Sequence, residues 1–222
     1  VEAELSLADR ADRVQALLEE RELLFQEMQH RVKNIMSTMT GFLSLQAVSV
    51  DNEETRRSLE DAASRFRSMS LLYDRLYRTP DRTDLPVDEF VTSLVRDILR
   101  LHPKGSNVEA SFDLVKFNLH AKSLGTLGIL INEVVTNSLK YAFPDGRTGT
   151  VSVVGRLDGP TVTLEVGDDG VGLPAGTSLE RSGGFGMELI SGLTKQLYGS
   201  LERLPGPGTT LRFTFPKLLA RG

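Results

Sequence analysis

The 222-residue chain is 40% hydrophobic and 25% charged, enough for a globular fold with a core, in one large domain or two small ones. A net charge of −4 gives no electrostatic support to general nucleic-acid binding. The lack of cysteine excludes disulfides, thiolate zinc sites and cysteine nucleophiles, and it fits a reducing, cytoplasmic setting. No apolar run approaches the roughly 20 residues of a membrane helix, and no signal peptide opens the chain. Val1 stands where an initiator methionine would be. The expectation is a piece of a longer protein, with any sensor domain or membrane anchor upstream.

The first predicted element is one long helix over residues 6–49. A seven-residue repeat places Ala11, Leu18, Phe25, Val32 and Met39 at position a. Position d holds Leu7, Val14, Arg21, Met28, Ile35 and Phe42. Arg21 alone breaks the stripe, and Gly41 is the single weak point. Such a helix extends about 60 Å, which suits a coiled coil or a bundle. Residues 50–52 read as a turn in which Asp51 or Asn52 can cap a second helix running to about residue 78. There Leu59, Ala62, Phe66, Met69, Tyr73 and Leu76 share one face. The two helices form an antiparallel hairpin. A dimeric four-helix bundle would cover them, as would another part of the chain.

Residues 79–84 have linker composition, and the pattern then becomes mixed. Helices are predicted at 86–101, 123–142 and 186–198. Strands are predicted at 107–115, 150–157, 161–166 and 209–215, with a turn at 158–160. The fold class is therefore α+β: a helical hairpin followed by an α/β sandwich with helices on one face of a mixed or antiparallel sheet. The expected divisions are a signalling helix at 1–20, a helical hairpin at 21–79 and a second domain at 84–219.

Four motifs in the second domain carry chemistry. In the helix at 123–142, Glu133, Asn137 and Lys140 are spaced i, i+4, i+7 on one face. Asn137 offers a hard oxygen to Mg²⁺, and Lys140 offers a point charge to phosphate. The same stripe would equally serve as the polar outer face of an amphipathic helix. Asp168-Asp169-Gly170-Val171-Gly172 follows a predicted strand, and its glycines permit a tight turn and close approach to a ligand. Alone it could be a plain strand-ending turn. Gly183-Gly184-Phe185-Gly186 opens a helix whose terminal amides suit phosphate oxygens, but it is neither a Walker A loop nor a dinucleotide fingerprint. Gly206-Pro207-Gly208-Thr209-Thr210 precedes the last strand.

The order NExxxNxxKY, DxGxG, GxGxxL and GTT resembles the nucleotide boxes of the Bergerat ATP-binding fold. Histidine kinases, DNA gyrase, the ninety-kilodalton heat-shock chaperone and the mismatch-repair ATPases share that fold. The resemblance spans roughly 90 residues. It implies Asn137 as the Mg²⁺ ligand, Glu133 as a base or water organiser, and Lys140 near phosphate. It also implies Asp168 on the adenine amino group, with Gly170 and Gly172 shaping the pocket. Tyr141, Gly184, Gly186 and Thr209 complete the expected nucleotide contacts. Residues 173–183 would be an ATP lid; no convincing phenylalanine box is present, and Phe185 would fill that role only in part.

In the long helix, Met28-Gln29-His30-Arg31-Val32-Lys33-Asn34 is similar to the HRVKN phosphoacceptor box of the second HisKA-type class of histidine kinases. With Phe25 at a and Met28 at d, His30 falls at f, facing away from a bundle core. Neutral imidazole is a good nucleophile near pH 7. An acid often follows the phosphoacceptor directly, whereas here Arg31 does. Glu27, one turn earlier, is a candidate for handling the proton. Arg31 or Lys33 could neutralise the γ-phosphate, and Asn34 could position a group for transfer. The absence of tryptophan and the Asn132-Glu133 pair exclude the HWE class. His102 and His120 lie outside any motif.

The resemblance implies a sensor histidine kinase core that uses Mg-ATP to phosphorylate His30 and passes the phosphoryl group to a response-regulator receiver domain. Its other expected partners are an upstream sensor domain of the same chain and a second copy of itself, with no nucleic acid. Two rivals are a conformational ATPase of the gyrase or chaperone type, and a degenerate kinase acting as a scaffold.

Overall fold

The computed structural model describes residues 2–76, 84–172 and 185–217. The chain divides into two compact units, residues 1–81 and 82–222. None of the described helices is long and apolar enough to cross a membrane.

The first unit is a hairpin of α1 (Glu2–Ser49) and α2 (Glu53–Leu76). Residues 50–52 join them, and the Oδ1 of Asn52 accepts the Thr55 amide at 2.9 Å, so Asn52 is the cap. The α1 residues turned toward α2 are Phe25, Gln29, Val32, Met36, Thr40, Leu43 and Ala47, which are half-buried to buried. They occupy positions a, e and b of the repeat. The d residues do not pack within the hairpin. Met28, Ile35 and Phe42, with Met39, are 45–58% exposed and form a second apolar stripe beside the first. The predicted heptad therefore resolves into two adjoining faces, and one hairpin buries only one of them.

The second unit begins with β1 (Asp84–Pro86) and α3 (Val87–Leu101). Next come β2 (Val108–Leu114), β3 (Asn118–His120), α4 (Ala121–Asn137), β4 (Gly149–Asp158) and β5 (Thr161–Asp168). It closes with α5 (Phe185–Gln196), β6 (Ser200–Leu204) and β7 (Thr210–Pro216). The main sheet has strand order β2-β4-β5-β7-β6; β2 and β4 run parallel and the other pairs antiparallel. It is thus a mixed sheet. Sequence patterning missed β6, and it missed the two-stranded β1–β3 ladder, whose three-residue strands are too short to show a period.

Alternation explains the layering. Val151, Val153, Val162, Leu164, Val166, Leu211, Phe213 and Phe215 are all buried and project from one sheet face. Helices α3, α4 and α5 supply Leu94, Leu127, Ile131, Val135 and Ile190 to the core, and Leu197 joins them from the turn after α5. On the alternate positions, Arg212 of β7 bonds Glu165 of β5 at 2.9 Å and Glu202 of β6 at 3.3 Å, a cross-strand ladder on the other face.

Gly41 lies mid-helix, and a β-carbon there would meet no atom within 4 Å. Gly41→Ala is expected to stabilise the hairpin by about 1 kcal/mol through helix propensity alone. Circular-dichroism melting reads this directly; a loss of stability would mean that another surface packs against that point.

Candidate functional site

The C-terminal end of β5 carries a buried acid. Asp168 is 5% exposed. Its Oδ1 accepts the backbone amides of Gly170 at 3.0 Å and Thr209 at 3.2 Å. Its Oδ2 lies 2.7 Å from the Ser138 hydroxyl. The Asp168 amide in turn donates to the Thr209 carbonyl at 3.0 Å. A buried carboxylate needs such donors, and charge-assisted bonds of this kind are the strong ones.

The local glycines follow from this crowding. Gly208 has φ +74, and a β-carbon there would sit 2.0 Å from the Asp168 carbonyl oxygen. Gly170 leaves only 2.4 Å between such a carbon and the Ala142 carbonyl oxygen. Gly172, at φ +70, abuts Gly208. Val171 donates its amide to the Ala142 carbonyl at 3.1 Å. Asp168, Gly170 and Gly172 are thus brought together with Gly208 and Thr209 and with the end of the α4 segment. Three of the four motifs converge on one place.

Helix α4 departs from expectation at its end. It stops at Asn137, and Ser138–Ala142 forms a π turn. Glu133 and Asn137 share the α-helical stripe, but the wider turn intervenes before Lys140, so the i, i+4, i+7 spacing does not describe all three. Such turns in helices are frequent at functional sites. Glu133 is 2% exposed, which rules out a solvated outer face at that position. Asn137 and Lys140 are half-buried, and Tyr141 points outward. The Lys140 carbonyl accepts the Lys104 ammonium at 3.3 Å.

Gly186 is buried in the first turn of α5, where Glu188 is exposed. Gly184 and the predicted lid at 173–183 lie outside the described residues, as does the side chain of Phe185.

The other two histidines have structural work. His120 Nδ1 accepts the Lys122 amide at 3.2 Å and caps α4. His102 Nδ1 accepts the Lys104 amide at 3.2 Å. Burial, then the charges of Lys140 and Lys104, push the His102 imidazole below its usual pKa, consistent with an accepting nitrogen.

In the first unit, His30 is exposed on α1, about 100° round the helix from the half-buried Gln29. It faces away from α2 and from the stripe of Met28, Ile35 and Phe42. Glu27, the candidate for proton handling, is engaged: the Arg31 guanidinium reaches its Oε1 at 2.6 Å in an exposed pair. Among the described residues, no group of three or more His, Asp or Glu side chains could hold a metal ion by itself.

Ser138 was not singled out by sequence reasoning. Its signal was its place directly after Asn137, on an otherwise apolar surface of the helix.

Residues 27–102 match a family model described as histidine kinase, and residues 107–215 match one described as histidine kinase-like ATPase domain. The chain is 32% identical over 212 residues to the sensor histidine kinase PdtaS of Mycolicibacterium smegmatis, covering 88% of this chain and 40% of that protein. It is 24% identical over 224 residues to blue-light-activated histidine kinase 2 of Erythrobacter litoralis, covering 97% of this chain and 62% of that one. The chain therefore spans less than two thirds of each of these relatives. Among solved structures, the histidine kinase domain of the Erythrobacter litoralis EL346 protein superimposes with a TM-score of 0.62 at 18% identity, over 83% of this chain and 94% of that one. The longer EL346 blue-light-activated kinase gives 0.66 at 19% identity, over 87% and 60%. These superpositions establish a shared fold.

The glycine geometry is testable. Gly159, at φ +54 in the β4–β5 turn, has no atom within 4 Å of a would-be β-carbon. Gly159→Ala should cost about 1–2 kcal/mol, the strain of a left-handed alanine. Gly208→Ala adds a clash with the Asp168 carbonyl and should cost clearly more. Urea denaturation of the two variants makes the comparison; equal losses would contradict the close approach.

Proposed function

Because the chain belongs to the histidine kinase family, we propose that it binds Mg-ATP in its second unit and transfers the γ-phosphoryl group to His30 of its first. The observation that carries this reading is the pairing, on one chain and in order, of an outward imidazole inside the matched histidine kinase segment with the Asp168 cradle inside the matched ATPase segment.

In this reading, Asp168 accepts a hydrogen bond from the adenine amino group, and Gly170, Gly172 and Thr209 shape the base pocket. Gly184 and Gly186 present backbone amides to phosphate, with Lys140 as the nearby cation and Tyr141 at the rim. The donor set fits a magnesium ion held mostly by the nucleotide. Asn137 would offer one hard oxygen, with the nucleotide's own phosphates supplying further ligands. Bound there, the ion supplies charge neutralisation on the phosphates. Buried Glu133 organises the groups around it.

Transfer is an in-line displacement. The unprotonated nitrogen of neutral His30 attacks the γ-phosphorus, and an N–P bond forms. The bond to the bridging oxygen breaks, and ADP leaves with that electron pair. The second ring nitrogen keeps its proton, so no strong base is required. This suits a site where Glu27 is already paired with Arg31. The phosphohistidine then passes its phosphoryl group to an aspartate carboxylate of a response-regulator receiver domain. A second copy packed along Met28, Ile35, Met39 and Phe42 would cover the stripe that one hairpin leaves open. Residues 1–20 would carry the signal from an upstream sensor domain.

His30→Ala is expected to abolish acid-labile, base-stable labelling from γ-labelled ATP while leaving ATP binding intact. Asn137→Ala should lose both. Labelling retained in His30→Ala would reject the assignment. Sustained ATP hydrolysis without phosphohistidine would favour a conformational ATPase.

A further inference from the structure

We propose that Ser138 is a positioning residue for the nucleotide base, setting the plane of the Asp168 carboxylate and with it the preference for a purine that carries an amino group at position 6. This rests on the reading of Asp168 as the adenine anchor.

The Oδ1 of Asp168 takes two amides, from Gly170 and Thr209. Two donors on one oxygen make that oxygen a pivot and leave Oδ2 free to swing about it. Among the described residues, the Ser138 hydroxyl is the protein donor that reaches Oδ2, at 2.7 Å.

That hydroxyl has a competing acceptor. The Val134 carbonyl, one helical turn back, lies 3.1 Å away. A serine in a helix often bonds that carbonyl for purely local reasons. Ser138 has one hydrogen and can serve one acceptor fully. The carboxylate is 0.4 Å closer by these two distances and is charged, and bonds to charged acceptors are about twice as strong. The hydroxyl hydrogen therefore belongs on Oδ2.

Ser138 is itself 5% exposed, so water does not readily replace it. It stands in the π turn that follows α4, and a regular helix would carry the next residues along a different path. The turn thus links the segment bearing Asn137 to the strand end bearing Asp168, across 30 residues of sequence.

Counting acceptor positions gives the consequence. A carboxylate offers about four. The two amides and the hydroxyl fill three, which leaves one on Oδ2 in a direction that Ser138 fixes. An N–H donor can use it, whereas a carbonyl at the same place on the base meets an acceptor facing an acceptor. Without the hydroxyl, the last position is no longer held in one direction, and the advantage of the amino group declines.

The test compares ATP with inosine triphosphate, which has a carbonyl at position 6, by titration calorimetry on the full 222-residue chain. The wild-type chain should bind ATP more tightly than inosine triphosphate. Ser138→Ala should weaken ATP about tenfold and inosine triphosphate little, lowering the ratio by about the same factor. Ser138→Thr, which keeps the hydroxyl, should restore it. Ser138→Cys, with a weak donor of similar size, should fall between, and it carries the test if the alanine variant does not fold. Equal weakening of both nucleotides, or an unchanged ratio in the alanine and cysteine variants, would overturn the proposal and leave Asp168 as anchor. A wild-type chain that binds both nucleotides equally would instead overturn the anchor itself.

Discussion

A negative charge taken out of water must be met by donors, and in this protein that requirement organises the functional end of the second unit. Asp168 sits at the end of β5 with 5% of its surface exposed, held by two amides and a hydroxyl. Each donor comes from a different stretch: the loop after β5, the loop before β7 and the turn after α4. Removing any of them leaves a buried acceptor short of a partner, at a cost of about 1–3 kcal/mol. The glycines at 170 and 208 are needed because those stretches come too close for a β-carbon. One carboxylate thus ties together the paths of three segments.

The first unit obeys a different constraint. A two-helix hairpin has too little interior to bury every apolar residue of a 48-residue helix. Two adjoining apolar faces result, one turned to α2 and one left open, and the remaining arc of α1 is polar enough to present His30 to solvent. The exposure of the His30 imidazole, on the arc opposite both faces, thus follows from the same packing that builds the hairpin.

The chemistry of DxGxG was legible in the sequence because its logic is local: glycine permits positive φ and close approach within a few residues of the acid. The long helix was legible because no proline interrupts it and Arg21 alone breaks the repeat. The division of that repeat into two faces was not, since a single helix pattern does not say whether its partner lies in the same chain or another. Ser138 was hidden because its partner lies 30 residues away, and only the sheet brings them together. The break of α4 at Asn137 was hidden as well. The residues Ser138-Leu139-Lys140-Tyr141-Ala142 contain no proline or glycine, and the π turn reflects tertiary demand rather than propensity. Strand β6 alternates only weakly, with Glu202 and Arg203 mid-strand.

Recognition of the base by Asp168 is the central proposal for this protein. Calorimetric titration of ATP into Asp168→Asn tests this most directly. The substitution preserves size and replaces one accepting oxygen by a donating nitrogen. A folded Asp168→Asn chain should bind ATP about ten- to a hundredfold more weakly than wild type. Unchanged affinity in a chain with a native circular-dichroism spectrum would contradict it.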